Sequence, residues 1–165
     1  MAVIEEALRA WLLTDATIGP LVGAVQNPSG PVSGWVGQAW KESIPQGTPS
    51  IATSGLCILT FAIDSEPRER SLSGVTSDKN ARVKLNLEAP DEATLNTLVE
   101  AIAGTPTAPK LDGFGPGQFG GGGVSLWTQY IEIEDRPDDF TPNPHAGDLG
   151  TFLSHLALNI AYVSP

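Results

Sequence analysis

Apolar and polar positions recur with two different periods along this chain, and the switches between them lay out its elements. In "AVIEEALRAWLLTD", Val3, Ile4, Ala7, Leu8, Trp11 and Leu12 share one helical face, with Glu5, Glu6 and Arg9 opposite. This predicts an amphipathic helix whose early acids suit the helix dipole. A short second turn is expected over 16–22, interrupted by Gly19-Pro20. In "SGLCILTFAIDSE" the period falls to two, with Leu59, Phe61 and Ile63 on one strand face and Thr60, Ala62 and Asp64 on the other. "ARVKLNLEA" alternates again: Val83, Leu85 and Leu87 inward, Arg82, Lys84, Asn86 and Glu88 outward. One solvated face is the mark of an antiparallel strand. The polar stretch between them, "PRERSLSGVTSDKN", reads as an extended hairpin connection.

Pro90 and Asp91 then open a second helix, with Leu95, Leu98, Val99 and Ile102 on one face and Gly104 as its stop. "VSLWTQYIEIE" predicts a strand with Trp127, Gln129, Ile131 and Ile133 opposite Leu126, Thr128, Tyr130 and Glu132. "TFLSHLALNIAYV" predicts a last strand with Phe152, Leu156, Leu158, Ile160 and Tyr162 on its apolar side and His155 on the other. The order helix, loop, strand, strand, helix, loop, strand, strand gives an α+β fold for a single domain over 1–165. Its expected form is a mainly antiparallel sheet of about four strands, with two amphipathic helices on one face and long Gly/Pro-rich loops.

Composition adds the loops. The 18 glycines and 14 prolines gather at 19–49, 104–123 and 137–150. These stretches hold Trp35, Trp40, Phe114 and Phe119, aromatic residues outside any core period and so candidates for partner contacts. "GFGPGQFGGGG" contains G-x-G-x-x-G at Gly115, Gly117 and Gly120. A dinucleotide turn needs a strand before that motif and a helix after it. Here a helix and a proline-containing linker precede, and a strand follows, so the stretch is expected to be a loop.

Charge narrows the chemistry. Nine basic against nineteen acidic residues give a net charge of -10, which argues against a nucleic-acid surface. The one dense basic stretch is Arg68, Arg70, Lys79, Arg82 and Lys84, interrupted by acids. No window approaches the ~18–20 apolar residues of a membrane span. Glu5 and Glu6 stand where a signal peptide carries positive charge, so a soluble protein made in the cytoplasm is expected. Cys57, in "LCILTF", is the only cysteine and reads as a buried strand thiol. The acids Asp135, Asp138, Asp139 and Asp148 with His145 offer oxygen and imidazole ligands, the basis of an alternative reading as a metal-dependent enzyme. No calcium-loop spacing accompanies them, and a solvated acidic loop is the simpler reading. G-x-S-x-G and H-E-x-x-H do not occur. No catalytic residue, cofactor or metal is expected.

Four stretches give the chain a likeness. They are "IEEALRAWLLTDATIGPLVG", "IPQGTPSIATSG", "SLSGVTSDKNARVKLNLEAPDEATLNTLVEAI" and "GTFLSHLALNIAYV", the third being the most specific, with a Leu-Ser-Gly hairpin feeding a strand and an amphipathic helix. In element order and pattern the chain resembles the tail-completion, or tail-terminator, proteins of long-tailed phages and phage-like particles. The resemblance implies a structural virion protein of the tail and neck, assembled in the host cytoplasm. Such proteins close the head-proximal end of the tail tube as a homo-oligomeric ring, commonly a hexamer, and stop tube polymerisation. Their partners are the tail tube protein and the head-closure or connector protein, and DNA passes through without specific binding. Another neck component, such as a head-closure protein, is the alternative within the same resemblance.

Overall fold

The computed structural model describes residues 4–22, 35–38, 55–65, 68–71, 74–136, 141–142 and 151–163. Helix α1 spans Ile4–Thr14 and buries Ile4, Ala7, Leu8 and Leu12, as its apolar stripe requires. Asp15 then turns the chain. Its Oδ1 accepts hydrogen bonds from the amides of Thr17 at 2.8 Å and Ile18 at 3.0 Å, capping the short helix α2 (Ile18–Val22). Its other oxygen accepts from Lys110 Nζ at 3.0 Å, tying the helical pair to a distant linker.

The remaining elements follow in chain order: β1 (Trp35–Gln38), β2 (Ile58–Ser65), β3 (Arg68–Ser71), β4 (Gly74–Ala89), α3 (Glu92–Ala103), β5 (Gly104–Thr105), β6 (Ala108–Pro109), β7 (Gly117–Gly121), β8 (Val124–Asp135), β9 (Thr141–Pro142) and β10 (Phe152–Val163). The main sheet runs β1-β2-β4-β10-β8-β7, with β3 added on β4 and β9 on β10. Every pair in it is antiparallel except β1 with β2. β5 and β6 pair separately. Helix α3 is delimited as its sequence signals demand: Asp91 accepts from the Thr94 amide at 2.7 Å, and Gly104 leaves the helix at φ 86°.

The fold is thus α+β with a mostly antiparallel sheet, but among the described residues the sheet has eight strands rather than about four. The four expected strands are β2, β4, β8 and β10, its centre. The additions are short or poor in side-chain pattern, so hydropathy does not mark them. β7 grows out of the glycine-rich stretch expected to be a loop, and β1 out of the long excursion at 26–50. Within the "PRERSLSGVTSDKN" connection, the described residues form ladder, β3 paired with the first part of a sixteen-residue β4. A third, short helix realises the turn expected over 16–22.

One core joins the helices to one face of the sheet. It includes Leu8 and Leu12 of α1, Leu98 and Ile102 of α3, Val83, Leu85 and Leu87 of β4, and Leu156, Leu158 and Ile160 of β10. Strand β8 corrects the expected alternation. Leu126, Thr128 and Ile131 are all buried, and Ile133 packs against the core, whereas Trp127 and Tyr130 are exposed. The register with β10 passes from Ala161↔Tyr130 to Tyr162↔Thr128, leaving Gln129 as an extra residue. This bulge resets the face. Without it, a two-residue period would have turned either Leu126 or Ile131 to solvent.

Candidate functional site

The face of the sheet opposite the helices is left open by these elements, and its residues follow from the register. On β4 it presents Arg82, Lys84 and Asn86, all exposed. On the adjacent β10 it presents His155, Ala157 and Asn159, and on β8 it presents Glu132 and Asp135 beyond Tyr130. Ala161, paired with Asn80 and Tyr130, is 6% exposed and lies outside the core cluster. Small side chains on the central strand therefore run between longer ones on its neighbours. Trp127 and Tyr130, exposed at 47% and 43%, are the large apolar residues left open to solvent among the described residues. Both lie on this face, either side of the Gln129 bulge.

Polar contacts stitch the face across β10. Arg82 Nε donates to Glu134 Oε2 at 2.9 Å. His155 Nε2 and Asp135 Oδ2 are 2.9 Å apart. At one end of the sheet, Thr151 Oγ1 donates to Glu88 Oε1 at 2.9 Å. On the opposite, helix-covered side, Lys79 Nζ stands 6.0 Å from the centre of the buried Tyr162 ring. Exposed ion pairs of this kind contribute little to stability, typically about 0–1 kcal/mol. Their greater effect is to fix where charge sits. Arg82 and Lys84 put positive charge on the middle of β4, Glu88 closes that strand's far end, and the charged residues of β8 are acidic.

The four aromatic candidates separate. Phe119 is fully buried in β7, so it offers no surface to a partner in this conformation. Its ring meets Trp11 of α1 at a 6.0 Å centroid distance and Phe114 at 5.7 Å, edge-on. Phe114 is half-buried and pairs in an isolated bridge with Ile131: its carbonyl accepts from the Ile131 amide at 2.8 Å. These two phenylalanines hold α1 against β7 instead of standing on a free loop. Trp35 begins β1, opposite Ile58, at a sheet edge and not in an irregular excursion. Trp40 lies outside the described residues. Strict alternation assigned Trp127 to the same face as Ile131 and so missed its exposure, whereas it placed Tyr130 opposite Ile131, where the structure has it.

The glycine motif also acquires a structural reason. A Cβ on Gly121 would collide with Thr14 Oγ1 and the Ala10 carbonyl oxygen of α1, and one on Gly120, at φ 139°, would collide with Val124. Glycine lets the helix lie close to the strand and lets the β7–β8 hairpin close. Asp138, Asp139, His145 and Asp148 lie outside the described residues. Asp135, the described member of that cluster, is paired with His155. Among the described residues no group of three or more His, Cys, Asp or Glu side chains is placed to hold a metal ion. Cys57 is buried, and burial, with a smaller contribution from the Asp91 charge, pushes its thiol up to about 12. It is a poor nucleophile there. A cavity of about 260 Å³ lies beyond the end of α3, lined by Thr105, Pro106, Asp112 and Arg136, whose Nη1 donates to the Gly104 carbonyl at 3.2 Å. Among the described residues no helix is long and apolar enough to cross a membrane.

No protein-family model matches the chain. Nor does any curated protein match it.

Proposed function

We propose that this is a structural virion protein that caps the head-proximal end of a phage tail tube as a ring, stops its polymerisation and joins the tail to the head connector. The carrying observation is that two of the segments behind the resemblance, the third and the fourth, build one paired surface. β3 pairs with the first part of β4, β4 leads into the capped helix α3, and β10 pairs along β4 from Phe152↔Ala89 to Val163↔Asp78. The outer face of these strands carries opposite charges on β4 and β8 and two exposed aromatics. That composition suits contact with protein better than contact with DNA, for which counterion release requires clustered cations. A ring of identical subunits needs two different, mutually complementary surfaces on each copy.

The experiment is native mass spectrometry of the purified protein, followed by addition to tail tubes assembled without it. A discrete ring, expected to be a hexamer, and tubes that stop elongating and accept heads are the predicted results. Titration with duplex DNA at low salt should show no tight binding, since the net charge of -10 repels phosphate most strongly there. A persistent monomer that leaves tube growth unaffected would refute the reading.

A further inference from the structure

The charges of the open face are ordered row by row. Ala157 of β10 lies between Lys84 of β4 and Asp135 of β8, and Asn159 lies between Arg82 and Glu132. One row further, Ala161 lies between Asn80 and Tyr130. The first two rows therefore carry a cation on one side of β10 and an anion on the other. Neither Lys84 nor Glu132 has an ion-pair partner among the described residues. Arg82 reaches Glu134 and Asp135 reaches His155, yet the side chains of Arg82 and Asp135 each remain 60% exposed.

Such a face is complementary to itself. A face that meets its own copy does so about a twofold axis, the isologous arrangement. With the axis lying across the strands, β4 would oppose β4 and β8 would oppose β8, setting like charges against each other. With the axis parallel to β10 and above it, β10 opposes β10, and β4 of each copy opposes β8 of the other. Rotation about that axis keeps every residue at its own level along the strands. Arg82 then meets Glu132 of the second copy, and Lys84 meets Asp135 of the second copy, each contact occurring twice. Packed sheets stand about 10 Å apart with their strands within about 30° of each other. Long side chains on the flanking strands span that gap, while Ala157, Asn159 and Ala161 leave its middle clear. In the third row the exposed Tyr130 ring is covered by β4 of the second copy.

We propose that the outer face of β4, β10 and β8 seats a second copy of this chain, packed face to face about a twofold axis parallel to β10. The paired rows single out a copy as the occupant. DNA would be repelled by β8, and a uniformly acidic or basic protein by one of the two flanking strands. The pairing goes beyond the ring reading above. A twofold contact is complete after two copies, so it does not propagate round a ring, whose neighbours meet through other surfaces. In the free protein the pair covers this face; within a ring the face is left to a molecule outside that ring.

Three measurements on the full chain test it. Native mass spectrometry at low salt should show a dimer as the smallest abundant species, and added salt should weaken it by screening the rows. K84E and D135K are each expected to weaken pairing at least about tenfold, because like charges then face one another twice. An equal mixture of the two variants should recover it. In the mixed pair the two introduced charges attract, and the wild-type contact survives beside them; misfolded variants would not be rescued in this way. In A157C protein a short bis-maleimide reagent should join each chain to its copy through residue 157, since Cys57 is buried and does not compete. Dimers that ignore both charge variants, or that resist linking at residue 157, overturn the face-to-face pair. Rings that cap tubes in protein showing no such pair overturn it while leaving the ring reading in place. Pairing as described in protein that never caps tubes strikes the ring reading alone. A wild-type protein that stays monomeric at every concentration overturns the pair and, where tube growth is also unaffected, the ring reading with it.

Discussion

Along β10, one strand serves two faces of opposite character. Leu156, Leu158 and Ile160 point into the core and are fully buried, while Ala157 and Asn159 between them face outward and remain partly accessible. The inner face is apolar, closely packed and covered by α1, α2 and α3 through one continuous cluster. The outer face is a mosaic of small residues, separated charges and two exposed aromatics. A monomer has no physical need for Trp127 and Tyr130 to stand open when the same strand buries Leu126, Thr128 and Ile131. The difference teaches that apolar character is used twice here. It holds the fold together on one side and remains available for association on the other.

The sharpest way to break this comparison is to exchange the fates of the aromatics. Phe119→Ala should cost about 3–5 kcal/mol, the usual range for emptying a buried aromatic site, read from the urea midpoint at constant slope. It should also loosen α1, because Phe119 bridges Trp11 and Phe114. A loss below about 1 kcal/mol would mean that Phe119 is not part of the core it occupies here.

The helix–strand contact gives the next largest effect. Gly121→Ala places a methyl group against Thr14 Oγ1 and the Ala10 carbonyl, and overpacking of this kind costs about 1–3 kcal/mol. Thr14 Oγ1 already donates to that carbonyl at 2.7 Å, so its hydroxyl is not free to swing away. Adding Thr14→Ala should recover part of the loss, and a double-mutant cycle would expose the coupling.

Asp15→Ala should cost about 1 kcal/mol through loss of the cap. The wild-type contribution depends on pH. Partial burial raises the Asp15 carboxyl, but the amides of Ile18 and Thr17 and the Lys110 ammonium outweigh it, and the net shift is below 3.8. The folded state thus favours the carboxylate. Its contribution is present above 3.8 and is lost as pH falls through the lowered folded value. Stability curves of wild type and Asp15→Ala should therefore converge in acid, and parallel curves would assign the effect to geometry alone.

The smallest effects belong to the outer face. Trp127→Ser and Tyr130→Ser should each leave unfolding free energy within about 0.5 kcal/mol of wild type, while altering self-association. A double-mutant cycle on Arg82 and Glu134 should give about 0.2–1 kcal/mol, as for exposed pairs. If either aromatic substitution unfolds the chain, the outer face belongs to the core and the contrast drawn above is wrong.

Much of the inner face was legible in the sequence. The stripe Ile4, Ala7, Leu8, Leu12, the alternation Val83, Leu85, Leu87 and the cap pair Asp91 and Gly104 each encode a local preference that tertiary structure did not override. Where backbone rather than side chain decides, legibility fell. β7 has only Gln118 and Phe119 among its glycines, so no period announces it as a strand, and the bulge at Gln129 is a matter of ladder pairing with β10. The candidate site suffered most. Its strands were visible, but the exposure of Trp127 was hidden by the assumption of unbroken alternation, and Phe119 was assigned to a loop because glycine surrounds it.

The central place of β10 has a consequence for the order of events during synthesis. Strands β4 and β8 do not pair with each other; their backbones are joined through residues 152–163, the last element described. Until the ribosome has delivered that segment, both carry an unpaired inner edge and the apolar side of the sheet has no middle. Local pieces such as the capped helix and the two hairpins can form early, but the long-range pairing must wait. The outer surface is itself assembled from β4, β10 and β8 together. A chain that still lacks residues 152–163 therefore cannot display it.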